Sequence, residues 1–492
     1  MPRITWLIDK QATGLFVLLL LSFAYFFPHW ADWNQNSRFA LVKSLVEEHS
    51  LVIDHFYQDT GDYAIYGNHK YTDKAPGLSF LGAPIYAGFR TVTRWVPGTA
   101  WTATPASNSA FSRTLRPDGT GLQANKIEDA AALYVVTFFV VSLPAAALWV
   151  LVYCFLGDLG FSRRVRLGVP LALGLATVAF PYSSAFYSHQ TASFLLFAAF
   201  YLLFLIKHGR LPLGALWGVG AVLGLAGFTD FPAVIPAGLL LVYAWSFLRS
   251  GTRLLQIIGG ALPFALALGV YNQLCFGSPF HSSYRYLALF QAQSNYGILG
   301  FSLPTWQAFW GITFSSYRGL FFSSPFLLAT IPGAWLARGK SFRRAELLLS
   351  ISVIVAYLAL ISCYYDWKGG FSIAGPRNLI PMIPFMALPV ACGLEVIWRS
   401  VFWRGIVIAT FAWSFAAIFI QTAAGQAFAP ISIPSPLFEF FLPALLAGDI
   451  NRNVGMILRL SRWYSLVPLL VGTGLVSAWL FAKEGTTGES RT

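Results

Sequence analysis

Long, unbroken apolar runs alternate along this chain with short polar segments. A half-buried strand would alternate every second residue, and a surface helix would show a polar stripe; these runs do neither. About 20 apolar residues are enough to cross a hydrocarbon layer roughly 30 Å thick. Runs of that kind stand at approximately 12–28, 129–156, 167–183, 190–206, 212–229, 231–248, 254–275, 319–337, 347–364, 379–398, 405–424 and 464–482. The pattern predicts an all-α, polytopic membrane protein with about 12 transmembrane helices. A transmembrane barrel is excluded because its strands would alternate. No repeat or linker divides the chain, so residues 1–482 read as one transmembrane domain and 483–492 as a short cytoplasmic tail.

One segment decides the topology. Gly77–Val96 is apolar but carries Arg90 and Arg94. If it crosses, Arg163, Arg164, Arg166, Lys207, Arg210, Arg249, Arg253, Arg338, Lys340, Arg343 and Arg344 fall outside. If it lies on the surface, they become cytoplasmic together with Arg399 and Arg404, as the bias of basic residues toward short inner loops requires. Residues 29–128 then form one large extracytoplasmic loop with interfacial helices near Ser37–Glu48 and Gly77–Trp95. In the first, Phe39, Val42, Leu45 and Val46 share a face, Lys43, Glu47 and Glu48 point away, and Ser37 stands at the N-cap. Ahead of the loop, Arg3 and Lys10 precede an apolar run, Gly14–Phe27, that is followed by Pro28-His29-Trp30 rather than by small residues, which predicts an uncleaved anchor.

Composition narrows the class. The chain is 56% hydrophobic, 17% aromatic and only 11% charged, with a mean hydropathy of +0.61, which excludes an ordinary soluble domain. Its net charge of +13 is accounted for by topology-setting loops and predicts no nucleic-acid partner. Cys154, Cys275, Cys363 and Cys392 are scattered, without metal spacing or a disulfide framework.

The scarce charges concentrate at Asn34–Gly77, which holds Asp54, Asp59, Asp62, Asp73, Arg38, Lys74, His55 and His69. In Asp73-Lys74-Ala75-Pro76-Gly77 the cation suits a phosphate and the carboxylate suits a proton acceptor, just ahead of a proline that starts the second helix. Asp54, Asp59 and Asp62 interleave with Tyr57, Tyr63 and Tyr66, a mixture of rings and carboxylates suited to sugars; a solvated loop has the same composition. His189 opens a span after Tyr187-Ser188, as a ligand or as an interfacial residue. Asp230 before Phe231-Pro232 reads as a helix cap. Arg285, Arg318, Lys368 and Arg377 stand on the same outer side beside tyrosines and glycines, matching a lipid phosphate or serving as snorkelling anchors.

These features resemble the integral-membrane glycosyltransferases of the GT-C class, in the branch of protein mannosyltransferases and 4-amino-arabinose lipid A transferases. In that branch an anchor precedes a large outer loop with two juxtamembrane helices. The loop opens with an acidic pair followed by Thr-Arg-Tyr-Ala and later carries Lys-Pro-Pro before an aromatic-rich helix. Here Ser37-Arg38-Phe39-Ala40 and Lys74-Ala75-Pro76 take those places. The motif-level likeness covers residues 34–86, with weaker echoes at His189, where the family often has an acid, and at Trp367–Arg377. Gln35-Asn36 replaces the acidic pair, and neither amide takes up a proton at neutral pH. The base is therefore expected at another acid: Asp32, Asp54, Asp62 or Asp73.

The resemblance implies an inverting glycosyltransferase of a bacterial cytoplasmic membrane. It would move a sugar from a polyprenyl-phosphate donor to an extracytoplasmic glycan, lipid or protein. Asp54, Asp62 and Asp73 are the catalytic candidates. Arg38, Lys74, Arg285, Arg318, Lys368 and Arg377 are candidates for the donor phosphate. Asn36, Tyr63, His69, Tyr71, His189 and Trp367 are candidates for substrate contacts. No metal-ligand spacing stands out; were a divalent ion such as Mg2+ or Mn2+ required, Asp54, Asp62 and His189 are the residues expected to converge. The alternatives are a lipid-linked glycan polymerase or ligase, and a transporter or flippase of lipid-linked sugars. The latter predicts charges along mid-span paths, where these runs hold almost none beyond Glu395.

Overall fold

The computed structural model describes residues 9–298, 300–337, 344–370, 373–398 and 400–482. The tail assigned to 483–492 lies outside the described residues, as do Arg3, Arg338, Lys340, Arg343 and Arg399. Among the described residues, eight helices are long and apolar enough to cross a membrane, and four shorter apolar helices accompany them. This is a multi-pass, all-α membrane protein.

Helix α1 (Lys10–Phe23) stops short of the predicted end because the chain turns extended there, and Phe26 bridges to Asn453. Next come α2 (Trp33–Glu47), a hairpin of β1 (Tyr63–Tyr66) and β2 (His69–Thr72), and α3 (Gly77–Thr93). The helices that follow are α4 (Ala124–Asp158), α5 (Arg163–Leu175), α6 (Ser188–Lys207), α7 (Leu213–Thr229), α8 (Phe231–Leu248) and α9 (Gly251–Phe276). The last six are α10 (Pro325–Leu336), α11 (Arg344–Ser362), α12 (Arg377–Ile397), α13 (Val401–Ala423), α14 (Leu437–Leu446) and α15 (Arg462–Phe481). Each of the twelve predicted runs overlaps a helical segment. The runs at 167–183 and 319–337 are each broken into two pieces.

Proline explains the largest local departures. Pro381 and Pro384 lack the N–H groups an α-helix needs, and the first ten residues of α12 adopt a tighter 3-10 form. In α4 a π-turn at Phe138–Ser142 runs up to Pro144.

α2 departs from its expected character. Its N-cap is Asp32 rather than Ser37: the carboxylate accepts from the N–H groups of Asn34 (3.0 Å) and Gln35 (3.4 Å). Nor is it a one-faced surface helix. Phe39 and Val42 enter one apolar cluster with Leu78, Tyr86, Leu133 and Phe186. Ala40 and Leu41 enter another with Ile53, Tyr71, Tyr271 and Phe276. With two apolar faces, the first half of α2 is enclosed, so its polar residues are buried as well.

The hairpin was not expected from the sequence. Its turn uses Gly67 at positive φ, the geometry a two-residue Gly-Asn loop provides. α3 starts hard against the bundle: a Cβ on Gly77 would lie 2.6 Å from the Phe228 carbonyl. α7 and α9 touch backbone to backbone through Gly220 and Gly260.

Candidate functional site

Five pieces of chain meet at the end of the bundle beneath α2: the N-terminus of α2 itself, the hairpin with its exit to α3, the start of α6, the α7–α8 junction, and the turn that leads into α12. Each brings ionisable side chains into a protein interior, where a charge is costly unless it is matched.

Lys74 sits at the centre of the hairpin exit. Its ammonium lies 2.7 Å from Asp62 and 2.8 Å from Asp73. Ser37 on α2 donates to Asp73 at 3.3 Å and shares a hydrogen bond with Thr72 at 2.7 Å. The Ser283 hydroxyl fixes the Asp73 carbonyl at 2.7 Å.

Arg38, the next residue of α2, crosses to the bundle. Its Nη2 donates to Ser188 Oγ at 3.1 Å, and Ser188 donates to Asp230 at 2.9 Å. His189 lies 3.6 Å from the other Asp230 oxygen. Arg38 Nε is buried with no hydrogen-bond partner among the described residues. Asp230 stands at the cap position, but its carboxylate makes no capping bond and serves Ser188 and His189 instead.

Asp32 completes the group. The Tyr187 hydroxyl donates to both its oxygens, at 2.7 and 2.8 Å. The Arg377 guanidinium stacks over the Tyr187 ring, 5.0 Å from its centre. Asp366 accepts from the N–H groups of Gly369 (3.1 Å) and Gly370 (3.2 Å) in the turn facing Arg377.

The electrostatics follow from burial and partners. Burial pushes the Asp32 carboxyl up to about 6, against the Tyr187 hydrogen bond and the charge of Arg377. Burial also raises Asp73 and Asp366; Lys74 opposes the first and Arg377 the second. Burial works against the Lys74 charge as well, but Asp62 and Asp73 outweigh it and hold the ammonium above its ordinary range. Asp73 gains less from the pair because Lys74 is shared and Asp62 repels it. Asp230 goes the other way: His189, Ser188 and Arg38 overcome its burial and hold it below the usual carboxylate range.

The structure thus brings Asp62, Asp73, Lys74, Arg38, His189 and Arg377 together, with Asp32. It leaves the others apart. Asp54 is tied to His69 (2.8 Å) and to the Lys70 N–H (2.7 Å), bracing the hairpin. It does not converge with Asp62 and His189, and no group of three or more His, Cys, Asp or Glu suited to a metal is found among the described residues. The Tyr71 ring is buried against Phe276, a core side chain rather than a surface for substrate. Tyr63 packs edge-on against Tyr57. The Asn36 amide donates to the carbonyls of Trp30 (2.6 Å) and Asp59 (3.0 Å), and Gln35 donates to that of His29. Both amides are thereby used to hold loop backbone.

Arg318 is buried and donates to the Gly370 carbonyl at 3.2 Å. Trp367 fills the space above Gly311. Lys368 reaches back over the Trp367 ring, and Arg285 is exposed.

Tyr187, Ser188 and Asp366 were not singled out from sequence. The signal for Asp366 was present: an acid just ahead of Gly369-Gly370, in the segment that ends at Arg377. Tyr187 and Ser188 carried none beyond adjacency to His189.

No protein-family model and no curated protein matches the chain. Among solved structures it is similar to the crystal structure of ArnT from Cupriavidus metallidurans bound to undecaprenyl phosphate. The identity is 13% and the TM-score 0.44, over 97% of this chain and 78% of that one. The same protein in its apo state gives 14% identity and a TM-score of 0.45, over 98% and 78%.

Proposed function

We propose that this protein is an inverting glycosyltransferase that takes a sugar from a polyprenyl-phosphate carrier and passes it to a hydroxyl on an extracytoplasmic glycan, lipid or protein. One observation carries the reading: a buried or half-buried group of Asp32, Asp62, Asp73, Asp230 and Asp366 with Arg38, Lys74 and Arg377 at one end of a membrane bundle. Charges so placed cost stability, and perturbed carboxylates gathered with cations mark sites of proton and phosphate chemistry. The pairing of Ser37-Arg38-Phe39-Ala40 with Lys74-Ala75-Pro76 supports the same class.

In this mechanism the ionised Asp32 carboxylate takes the proton of the acceptor hydroxyl as its oxygen attacks the anomeric carbon. A carboxyl that titrates near 6 is matched to that task at neutral pH. The bond from the anomeric carbon to the phosphate oxygen breaks, and its electron pair leaves on the lipid phosphate. Lys74 and Arg377 stabilise the charge that develops there. Burial raises Asp73 and Asp366 toward their neutral forms, which eases the approach of a phosphate to Lys74 and Arg377. Asp62 and Asp230 keep Lys74, Arg38 and His189 in place.

The test is direct. Purified protein supplied with radiolabelled polyprenyl-phosphate sugars should bind a donor and release free polyprenyl phosphate when acceptor is present. Failure to bind or turn over any such donor removes the reading.

A further inference from the structure

Away from this cluster, and sharing no residue with it, a cavity of about 390 Å3 opens between the chain after α1, the 96–122 segment and the start of α4. That volume is within the roughly 300–1,000 Å3 range of small-molecule sites. Its walls are apolar, with Phe27, Trp101, Phe111, Leu122, Ile127 and Tyr134 prominent. Asn108 and Arg452 form its polar edge. Asn108 is already committed, donating to the Met456 carbonyl at 2.9 Å.

Arg452 is not. Only 2% of it is exposed. Its Nη1 donates to the Thr114 carbonyl at 3.0 Å, while Nη2 has no hydrogen-bond partner among the described residues. The neighbouring carboxylate, Asp449, lies 3.8 Å from Arg116, which leaves two guanidinium groups to one acid. A buried arginine with an unmade hydrogen bond beside an apolar cavity is matched by an oxyanion that carries hydrocarbon.

We propose that this cavity holds one phosphate-headed lipid, with a headgroup oxygen on the Arg452 guanidinium and its chain among the aromatic walls. The site is additional to the transfer cluster and does not depend on transfer being the activity. Two sources offer the same chemistry, an anionic phospholipid and a polyprenyl phosphate.

Native mass spectrometry of the full-length protein in detergent tests this, with phosphatidylglycerol, undecaprenyl phosphate and phosphatidylcholine as probes. The expected result is one tightly held anionic lipid per protein beyond any undecaprenyl phosphate at the transfer cluster, at least tenfold preferred over phosphatidylcholine. Which of the two anionic probes loses more binding in Ala131→Phe identifies the source. Arg452→Met should lose that preference. Ala131→Phe, which fills the cavity and keeps the charge, should reduce anionic-lipid binding at least tenfold, and it serves if the arginine variant does not fold. Equal retention of all three lipids, or anionic binding unchanged in Ala131→Phe, overturns the proposal. Since the readout is binding, failure of the transferase reading would leave the result intact.

Discussion

Asp62 and Asp73 close on the same ammonium, that of Lys74, at 2.7 and 2.8 Å. The two acids lie on either side of the hairpin, so the lysine ties its entry to its exit. Lys74→Ala removes one cation from two carboxylates. Breaking a buried pair in this way costs about 3–5 kcal/mol, and the variant should unfold at markedly lower temperature. Adding Asp73→Asn to it should recover part of the loss. Thermal unfolding of the detergent-solubilised protein measures both, and equal stability of the two variants contradicts the arrangement.

Asp32→Asn should stay folded, since an amide oxygen still caps α2 and still accepts from Tyr187. Transfer should fall by about 10²–10⁴-fold, the range for loss of a general base. The pH profile gives an independent check. Asp32 works only when ionised, so wild-type transfer should decline as pH falls through about 6. A profile flat down to pH 4.5 would falsify the assignment.

The sign for stability is opposite. A carboxyl raised to about 6 from 3.8 binds its proton more tightly when folded. Its contribution is fully present below about pH 4 and is lost as pH rises through 6. Asp32→Asn should therefore gain stability relative to wild type at pH 8 and little or none at pH 4. A difference that does not change with pH counts against a buried, ionised Asp32.

Asp54→Ala and His69→Ala should leave transfer nearly intact. Their pair is largely exposed, and such contacts contribute about 0–1 kcal/mol. If either variant abolishes transfer while the protein remains folded, the hairpin tip belongs to the site and the grouping above is wrong.

Gly220→Ala tests how α7 and α9 are held. The new Cβ would meet the Ile257 carbonyl at 1.9 Å, so the helices must separate. Overpacking of this kind costs about 1–3 kcal/mol. An unchanged unfolding midpoint would show that the backbones are not in contact.

Much of the fold was legible because membrane spans write themselves as continuous apolar runs. The breaks at Ala176–Val178 and Ser324 were not, since the residues there are as apolar or as small as those around them. α2 misled because its two apolar faces, Phe39 with Val42 and Ala40 with Leu41, look like one loose stripe when only one partner surface is imagined. The choice of Ser37 over Asp32 as its cap had no local arbiter: both residue types cap well, and the difference lies in Tyr187, 155 positions away.

In the candidate site, Asp73-Lys74 stood out by adjacency, and Arg38 by its motif. Asp230 was read as a cap because its neighbours are a helix end and a proline. Its actual partner Ser188 lies 42 residues earlier, and only folding brings the two together. Asp54 and Tyr71 shared the loop's composition but not its destination. The hairpin turns one outward to His69 and the other inward to Phe276.

Gly77 has a wider consequence. With no side chain between them, the start of α3 rests directly on main chain at Phe228, so Lys74 and Asp230 hang from two stretches of polypeptide joined at one backbone contact. The spacing between loop charges and bundle charges is thereby fixed by main-chain packing rather than by side chains.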